Sequence, residues 1–137
     1  MNCVINEALR VNPPATVNSA YCLERDTKIA GMRIKGGTTF VVNIYGLHRS
    51  GSQWQRPYEF LPDRFDNSHP LALTPSGTKR HPMSFFAFNA GKRICFGKTF
   101  AEMVLKVTSS LISQSFDMSF VETDRYSKNC LPQLFFD

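Results

Sequence analysis

The spacing of apolar residues predicts one long helix towards the end of the chain and one short helix at its start. Between residues 97 and 115, apolar side chains recur at intervals of three and four, which is the period of a helix face. Further apolar residues widen this stripe, so we expect the long helix to be buried on most sides. Residues 3–10 also have a helical pattern, which Pro13 and Pro14 end. The widened stripe consists of Phe100, Ala101, Met103, Val104, Leu105, Val107, Leu111 and Ile112.

Strand-like residues follow the first helix. A β-rich pattern with a tight turn at Ala30-Gly31 predicts a hairpin over residues 27–34. A second turn at residues 35–37 leads into β-branched and aromatic residues, which predict a strand over residues 39–44. The last segment, residues 117–137, suggests a further short strand pair.

The region before the apolar run at residue 84 is rich in proline. A helical turn is predicted over residues 45–49, and prolines then recur from Gln53 to Pro82 without a regular period. A coil of this length inside a compact domain is uncommon and tends to be functional. The pattern therefore predicts two helices, short strands and a long ordered coil before the cysteine loop described below.

Composition and charge exclude several classes of protein. Hydrophobic residues make up 42% and charged residues 20%, so the chain has enough apolar residues to form a core. The net charge of +5 could favour an acidic partner, but no long basic run or nucleic-acid motif is present, and we expect no nucleic-acid binding. Four cysteines without a CxxC pair disfavour a zinc ribbon. No apolar stretch approaches the roughly 20 residues that span a bilayer.

The most specific signal is the segment Phe88-Asn89-Ala90-Gly91-Lys92-Arg93-Ile94-Cys95-Phe96-Gly97. It resembles the haem-binding signature of the cytochromes P450, F-x-x-G-x-R-x-C-x-G, at all five fixed positions. With average residue usage, such a match arises by chance about once in ten million starting positions. The resemblance implies that Cys95 is the axial ligand of a haem iron.

Physical chemistry accounts for each residue of this cysteine loop. Glycine at Gly91 and Gly97 allows the backbone to turn and to approach a flat macrocycle. A helix that begins just after Cys95 directs free backbone N–H groups towards the sulfur, which stabilises a thiolate. Arg93 can form a charge-assisted bond to a haem propionate, and Phe88 can shield the sulfur from water. A buried, inert cysteine is the usual alternative for a lone thiol, and the signature argues against it.

Two further segments extend the resemblance to nearly the whole chain. Glu7 and Arg10 match the family's E-x-x-R pair, and residues 57–65 match P-x-x-F-x-P-x-R-F. The resemblance implies that Arg64 joins Glu7 and Arg10 in a buried charge cluster that holds the coil behind the haem. An exposed surface pair is the plainer alternative for these charges.

The resemblance implies a mainly α fold with a small β-sheet. From it we also expect a haem-thiolate monooxygenase that inserts one oxygen atom of O₂ into a small apolar substrate. Its cofactor would be haem b, and NADPH would be used indirectly, through a reductase. Basic residues near the cysteine loop would dock that reductase on the proximal haem face. The chain most resembles the eukaryotic, membrane-anchored members of the family. This resemblance implies that the whole protein lies on the cytosolic face of the endoplasmic reticulum. The basic residues are Lys79, Arg80, Lys92, Lys98 and Lys106.

The resemblance also has departures. An arginine that often binds a propionate after the Pro-Pro segment has no counterpart in residues 17–21. The family's oxygen-activating helix and membrane anchor lie upstream of the E-x-x-R helix, and a short uncapped helix at residue 3 reads as the second half of a longer one. We therefore expect residues 1–137 to be the C-terminal part of a single cytochrome P450 domain. The alternative is a non-catalytic haem-binding or partner-binding remnant.

A third reading is a nucleotide-binding loop. Gly97-Lys98-Thr99 looks like the end of G-x-x-x-x-G-K-[ST], which binds phosphate. Gly91, however, lies six residues before Gly97, and the motif requires five. The extra residue would displace the N–H groups that cradle a phosphate, so an NTPase is a distant third.

Overall fold

The first helix ends where the sequence predicts. The computed structural model describes residues 1–119, and its first helix, α1, spans Asn2–Val11. Asn12 follows in a non-helical conformation before the two prolines. One face of α1 is buried and contains two charged residues beside two apolar ones, so this face must find charged as well as apolar partners. The buried residues are Ile5, Glu7, Leu9 and Arg10.

The predicted hairpin is confirmed. Strands β2 (Thr27–Ile29) and β3 (Met32–Ile34) pair in antiparallel register, with Thr27 opposite Ile34. Both turn residues have positive φ, 49° at Ala30 and 85° at Gly31. Two successive positive φ values are those of the turn whose twist suits a two-residue hairpin, and they explain the sharp reversal.

The strand predicted over residues 39–44 is shorter than expected. Strand β1 (Tyr21–Cys22) pairs with β4 (Thr39–Phe40), and only these two residues of the segment form a strand. Beyond them the backbone pairing is reduced to an isolated bridge between Val17 and Asn43, and the Val42 amide donates to Asn18 Oδ1 at 2.6 Å. The predicted small β-sheet is therefore two separate two-stranded ladders.

The long coil is present and is punctuated by short turns. A four-residue helix, α2 (Ile44–Leu47), precedes it, with the Asn43 side chain accepting the Gly46 amide at 2.8 Å. Three 3₁₀ turns follow, and each begins at a proline, whose fixed φ suits the first helical position. These turns span Pro62–Phe65, Pro70–Ala72 and Pro82–Ser84.

The long helix, α3, spans Lys98–Ser115, but the expectation that it is buried on most sides is wrong. None of its residues is buried, and Phe100 is 73% exposed. A helix can be buried on most sides only if neighbours pack on most sides, and among the described residues α1 is the one helix with a substantial contact to α3. The apolar stripe exists as predicted, and residues 1–119 do not cover it.

The apolar core lies between α1 and the coil. Trp54, at 1% exposure, is its largest side chain, and its ring packs at 5.9 Å from that of Phe65. Phe65 in turn meets Phe85 edge to face at 5.0 Å. Of the described helices, none is long and apolar enough to cross a membrane. The predicted terminal strand pair lies almost wholly outside the described residues.

Candidate functional site

The structure brings Glu7, Arg10 and Arg64 together, all with no solvent exposure. Arg10 binds both carboxylate oxygens of Glu7, with Nε–Oε2 at 2.7 Å and Nη2–Oε1 at 2.8 Å. Its remaining N–H groups donate to backbone carbonyls of His48, Pro57 and Glu59 at 2.7–2.9 Å. All five guanidinium donors therefore have acceptors, which is what a buried arginine requires.

Arg64 reaches the same carboxylate from the 3₁₀ turn at Pro62–Phe65. Its Nε donates to Glu7 Oε1 at 3.0 Å, and the Leu61 amide donates to the same oxygen at 2.8 Å. The terminal nitrogens donate to carbonyls of Gln55 and Arg56. Burial lowers the pKa of Arg64, and the Glu7 carboxylate acts in the opposite direction. One carboxylate thus joins two guanidiniums and a backbone amide in one buried charge cluster, Glu7–Arg10–Arg64.

His48 connects this buried charge cluster to the segment that leads into the cysteine loop. Its ring is fully buried and stacks on Phe85, with centroids 5.3 Å apart and planes at 23°. Nε2 accepts the Phe86 amide at 2.8 Å, and Nδ1 lies 3.2 Å from the Arg10 carbonyl oxygen. Burial, together with the positive charges of Arg10 and Arg49, lowers the pKa of His48 to about 4, and the hydrogen bond with the Arg10 carbonyl acts in the opposite direction. The ring is therefore neutral at pH 7.

The cysteine loop is closed by backbone hydrogen bonds. The Cys95 amide donates to the Phe88 carbonyl at 2.8 Å, and the Ile94 amide donates to the Gly91 carbonyl at 3.3 Å across a 3₁₀ turn at Gly91–Arg93. Helix α3 begins three residues after the cysteine, with Gly97 as its N-cap residue. The loop backbone is thus held by the chain itself.

Two loop residues adopt the left-handed conformation. Gly91 has φ 61°, which explains the requirement for glycine at this position. Asn89 has φ 58°, and asparagine is among the non-glycine residues that tolerate this region best. Gly97 differs, because its φ of −82° is ordinary and a Cβ there would meet no described atom within 4 Å. The loop backbone therefore explains Gly91, and Gly97 needs a reason outside the described residues.

The side chains of the loop point away from the described protein. Cys95 is a free, exposed thiol that lies three residues before the first residue of α3. Arg93 is also exposed, with no ion pair to any described residue. The neighbouring Ile94 and Phe96 expose apolar surface. A soft sulfur ligand, a cation and apolar walls suit a flat apolar macrocycle with carboxylate groups at its edge, and the residues present therefore fit haem.

The sequence assigned no role to two residues of this region, His48 and Asn89, and a different role to a third, Arg80. His48 lies in the predicted helical turn over residues 45–49, and its ring contacts cannot be inferred from one sequence. Asn89 carries a detectable signal, since asparagine near a glycine is typical of a left-handed residue. Arg80 was expected to be a docking cation, but it donates to the Leu71 carbonyl at 2.8 Å and lies 4.3 Å from the Trp54 ring.

The other basic residues near the loop are more accessible. Lys79, Lys92 and Lys106 are exposed, and Lys98 is half-buried in a 3.9 Å pair with Glu102 one turn further along α3. Such an exposed pair is weak, so it leaves the lysine available to other anions. Among the described residues, no cluster of three or more histidine, cysteine or acidic side chains could hold a bare metal ion.

Comparison with known families gives one match over almost the entire chain. The model of the family described as "Cytochrome P450" matches residues 1–135. The match therefore includes the buried charge cluster, the long coil, the cysteine loop and α3.

Individual relatives are similar to this chain over most of its length. Cytochrome P450 4d2 of Drosophila melanogaster is 35% identical over 118 residues, covering 86% of the chain and 22% of the relative. Vinorine hydroxylase of Rauvolfia serpentina is 31% identical, covering 87% of the chain and 24% of the relative. The chain thus spans about a quarter of the length of these relatives.

Solved structures show the same fold. The structure titled "Retinoic acid bound cyanobacterial CYP120A1" has a TM-score of 0.75 and 28% identity, covering 85% of this chain and 26% of that one. A zebra fish cytochrome P450 solved with progesterone has a TM-score of 0.65 and 27% identity, covering 80% and 22%. The expected fold is confirmed by these neighbours.

Proposed function

The chain belongs to the cytochrome P450 family, whose cofactor is a haem iron, and from this premise we propose that it carries the haem-thiolate site of a monooxygenase. The reaction inserts one oxygen atom of O₂ into a small apolar substrate, with NADPH-derived electrons delivered by a reductase. One observation carries the proposal: the free, exposed Cys95 lies in a closed loop, with Arg93 exposed beside it. Residues 1–137 then form the C-terminal part of a single catalytic domain.

Each residue of the cysteine loop has a separate proposed role in binding haem. Cys95 would hold the haem iron through its thiolate sulfur, and a thiolate ligand would supply the electron density that favours O–O cleavage. Arg93 pairs with a propionate, and its exposed guanidinium has no competing ion pair among the described residues. With haem in place, Phe88 would shield the sulfur from water, while Gly91 and Gly97 would leave room for the macrocycle. Open space in front of both glycines supports this role.

The buried charge cluster serves the site indirectly. Glu7, Arg10 and Arg64 are themselves fully buried, so we assign them no chemical step. Their hydrogen bonds join α1 to residues 48–64 and hold the coil that precedes the cysteine loop. The role of the cluster is to fix the scaffold against which the loop is placed.

The direct test is the reduced-CO spectrum of the haem-loaded protein. We expect a thiolate-type band, and Cys95→Ala should abolish it because the variant has no axial sulfur. Cys22→Ala is the matched control, since Cys22 is also free and exposed but lies on β1, away from the loop. A thiolate-type band that survives Cys95→Ala would overturn the assignment.

Electrons are proposed to arrive at the basic surface near the loop. Lys79, Lys92, Lys98 and Lys106 are the four lysines of this surface, and positive charge there favours an acidic reductase. Arg80 takes part in backbone hydrogen bonds and is a weaker candidate. We expect Lys92→Glu combined with Lys98→Glu to slow reductase-dependent turnover and to reduce its dependence on salt.

Lys28 offers a control for that charge reversal. It is exposed on β2, and Lys35 is exposed just after β3, both remote in sequence from the loop. Lys28→Glu combined with Lys35→Glu therefore changes the net charge as much as the double reversal without changing this surface. Equal effects of the two reversals on turnover would contradict the docking site. By resemblance to membrane-anchored members, we place the whole protein on the cytosolic face of the endoplasmic reticulum.

The non-catalytic alternative makes a different prediction. A haem-binding remnant would show the thiolate-type band but oxidise no apolar substrate with reductase and NADPH. The chain matches about a quarter of the length of its relatives, and a protein of that extent alone is consistent with this alternative. Sequencing the transcript upstream of the Met1 codon, together with a turnover assay on the encoded protein, separates the two.

A further inference from the structure

The hydrogen bonds of His48 determine which ring nitrogen carries the proton. The Phe86 amide can only donate, and it lies 2.8 Å from Nε2, so Nε2 must be an unprotonated acceptor. In a neutral ring the proton is then on Nδ1, which lies 3.2 Å from the Arg10 carbonyl oxygen and donates to it. Each nitrogen thus has a different role, and both partners are backbone groups from separate parts of the chain.

We propose that His48 is a positioning residue for the cysteine loop, which it links to the buried charge cluster. This inference rests on the proposed function in taking Cys95 as the group to be positioned. Behind the ring, Arg10 is held by Glu7 and donates to the His48 carbonyl at 2.9 Å. In front of it, the ring holds the Phe86 amide at the entrance to the loop.

The path from Phe86 to the thiol is short. The Phe86 carbonyl accepts the Asn89 amide at 3.1 Å, which closes the turn before Gly91. The Phe88 carbonyl accepts the Cys95 amide at 2.8 Å. Residue 86 therefore lies at the base of the loop that presents the sulfur, and a displaced Phe86 would displace the whole loop.

Histidine is the side chain that can make both bonds at once. An imidazole has a donor and an acceptor at different distances from Cβ, and stacking on Phe85 at 5.3 Å fixes the ring plane. Glutamine can reach the position of Nε2 with its amide oxygen, and asparagine can reach the position of Nδ1 with its amide nitrogen. The burial that lowers the pKa of His48 also keeps Nε2 free to accept at neutral pH.

Two substitutions separate the two bonds. His48→Gln keeps an acceptor for the Phe86 amide. His48→Asn keeps a donor for the Arg10 carbonyl but leaves the Phe86 amide without an acceptor. In the haem-loaded protein we expect amide hydrogen exchange at Phe86 to rise about tenfold or more in His48→Asn and to stay within about threefold of the wild type in His48→Gln. The thiolate-type fraction of the reduced-CO spectrum should fall in His48→Asn only.

His69 provides the matched control. Its Nδ1 accepts the Leu71 amide at 3.2 Å, but the ring makes no described contact with Arg10 or with the loop. His69→Asn should leave both readouts at wild-type values. Equal exchange at Phe86 in His48→Gln and His48→Asn, or a thiolate-type fraction that falls equally in both, would overturn the positioning role. The exchange measurement does not depend on the identity of the axial ligand, so it separates this inference from the proposed function.

The wild-type protein gives a second test that needs no substitution. Nitrogen NMR of histidine-labelled protein at pH 7 distinguishes protonated from unprotonated ring nitrogens. We expect the proton of His48 on Nδ1 and none on Nε2. A ring protonated on Nε2, alone or together with Nδ1, could not accept the Phe86 amide and would refute the proposal even if His48→Asn failed to fold.

Discussion

The buried charge cluster and the cysteine loop differ in the exposure of their polar side chains. In the buried charge cluster, Glu7, Arg10 and Arg64 have no exposure, and all five donors of Arg10 are bonded within the chain. In the cysteine loop the backbone is bonded, yet Cys95 and Arg93 are exposed. The side chains of the buried charge cluster find their hydrogen-bond partners within the protein, whereas those of Cys95 and Arg93 face outward.

This difference separates structural from binding charges. A buried ion is stable only when partners compensate for its lost hydration, so the buried charge cluster works as a unit that cannot lose a member. An exposed thiol and guanidinium on a closed backbone lose little hydration and remain available to a ligand. His48 lies between the two regions and contacts both.

Removing the central carboxylate should have the largest effect. Glu7→Gln keeps the shape of the side chain but leaves Arg10 and Arg64 as adjacent buried cations. We expect the free energy of unfolding to fall by about 3–5 kcal/mol, the usual cost of an uncompensated buried charge. Chemical unfolding of the wild type and the variant measures this.

The chain contains a matched pair for this experiment. Arg56 and Glu59 have the same chain separation of three and form an ion pair at 3.2 Å, but about half of each side chain is exposed. Glu59→Gln should cost about 1 kcal/mol or less, because solvent screens exposed pairs. Equal losses in Glu7→Gln and Glu59→Gln would contradict the distinction between the two regions.

Acidification should weaken the link between the regions. The pKa of His48 is lowered from about 6.5 to about 4, so the unfolded chain binds its proton first as pH falls. The neutral ring therefore contributes fully above pH 6.5, and about 3 kcal/mol of this contribution is lost between pH 6.5 and pH 4. Of the groups packed on the ring, Arg10 and Arg49 are cationic and Phe85 is neutral.

The unfolding free energies of the wild type and of His48→Gln measure this contribution. Glutamine does not titrate, so the difference between the two proteins should shrink by about 3 kcal/mol from pH 7 to pH 4. A constant difference over that range would show that His48 has the same pKa in the folded and unfolded chain. Other titrating groups cancel in the comparison.

Substitution of the loop glycines tests whether the loop backbone is self-contained. Gly91→Ala places a Cβ at φ 61° and should cost about 1–2 kcal/mol of unfolding free energy, because L residues are strained there. Gly97→Ala should cost well under about 1 kcal/mol, since φ is −82° and no described atom lies near the added carbon. If Gly97→Ala lowers haem occupancy without lowering stability, the macrocycle is what requires glycine at that position.

The smallest effect is expected at the surface of α3. Lys98 and Glu102 are one turn apart with a Nζ–Oε1 distance of 3.9 Å, and both are partly exposed. Lys98→Ala should change the free energy of unfolding by about 0.5 kcal/mol or less. A loss of several kcal/mol in thermal or chemical unfolding would mean that the loop region carries a structural charge after all.

Local sequence patterns predicted the helices and the hairpin well, but they did not predict contacts between residues that are far apart in the chain. The prolines after Asn12 and the turn at Ala30-Gly31 act through backbone geometry, so one sequence suffices to place α1 and the hairpin. The burial of α3 could not be predicted, because a stripe shows that a face is apolar and does not show what packs on it.

The same limit applies within the site. The partners of Glu7 were expected through family resemblance, and the structure places them within 3.0 Å. Arg80 shows the reverse, since its positive charge suggested docking while its guanidinium packs on the Trp54 ring. A charge in the sequence does not reveal whether the folded chain uses it for packing.

The distances along the chain within the buried charge cluster have a consequence for the order of folding. Arg64 contacts Glu7 across a separation of 57 residues, and Arg10 contacts Glu59 across 49. Loops of this length must close before these contacts form, whereas α1 and the hairpin involve near neighbours only. We expect the charges to remain hydrated until late and to lose water in one concerted step. Formation of the buried charge cluster would then be a late step in folding, which takes place only when the long coil is correctly aligned with α1.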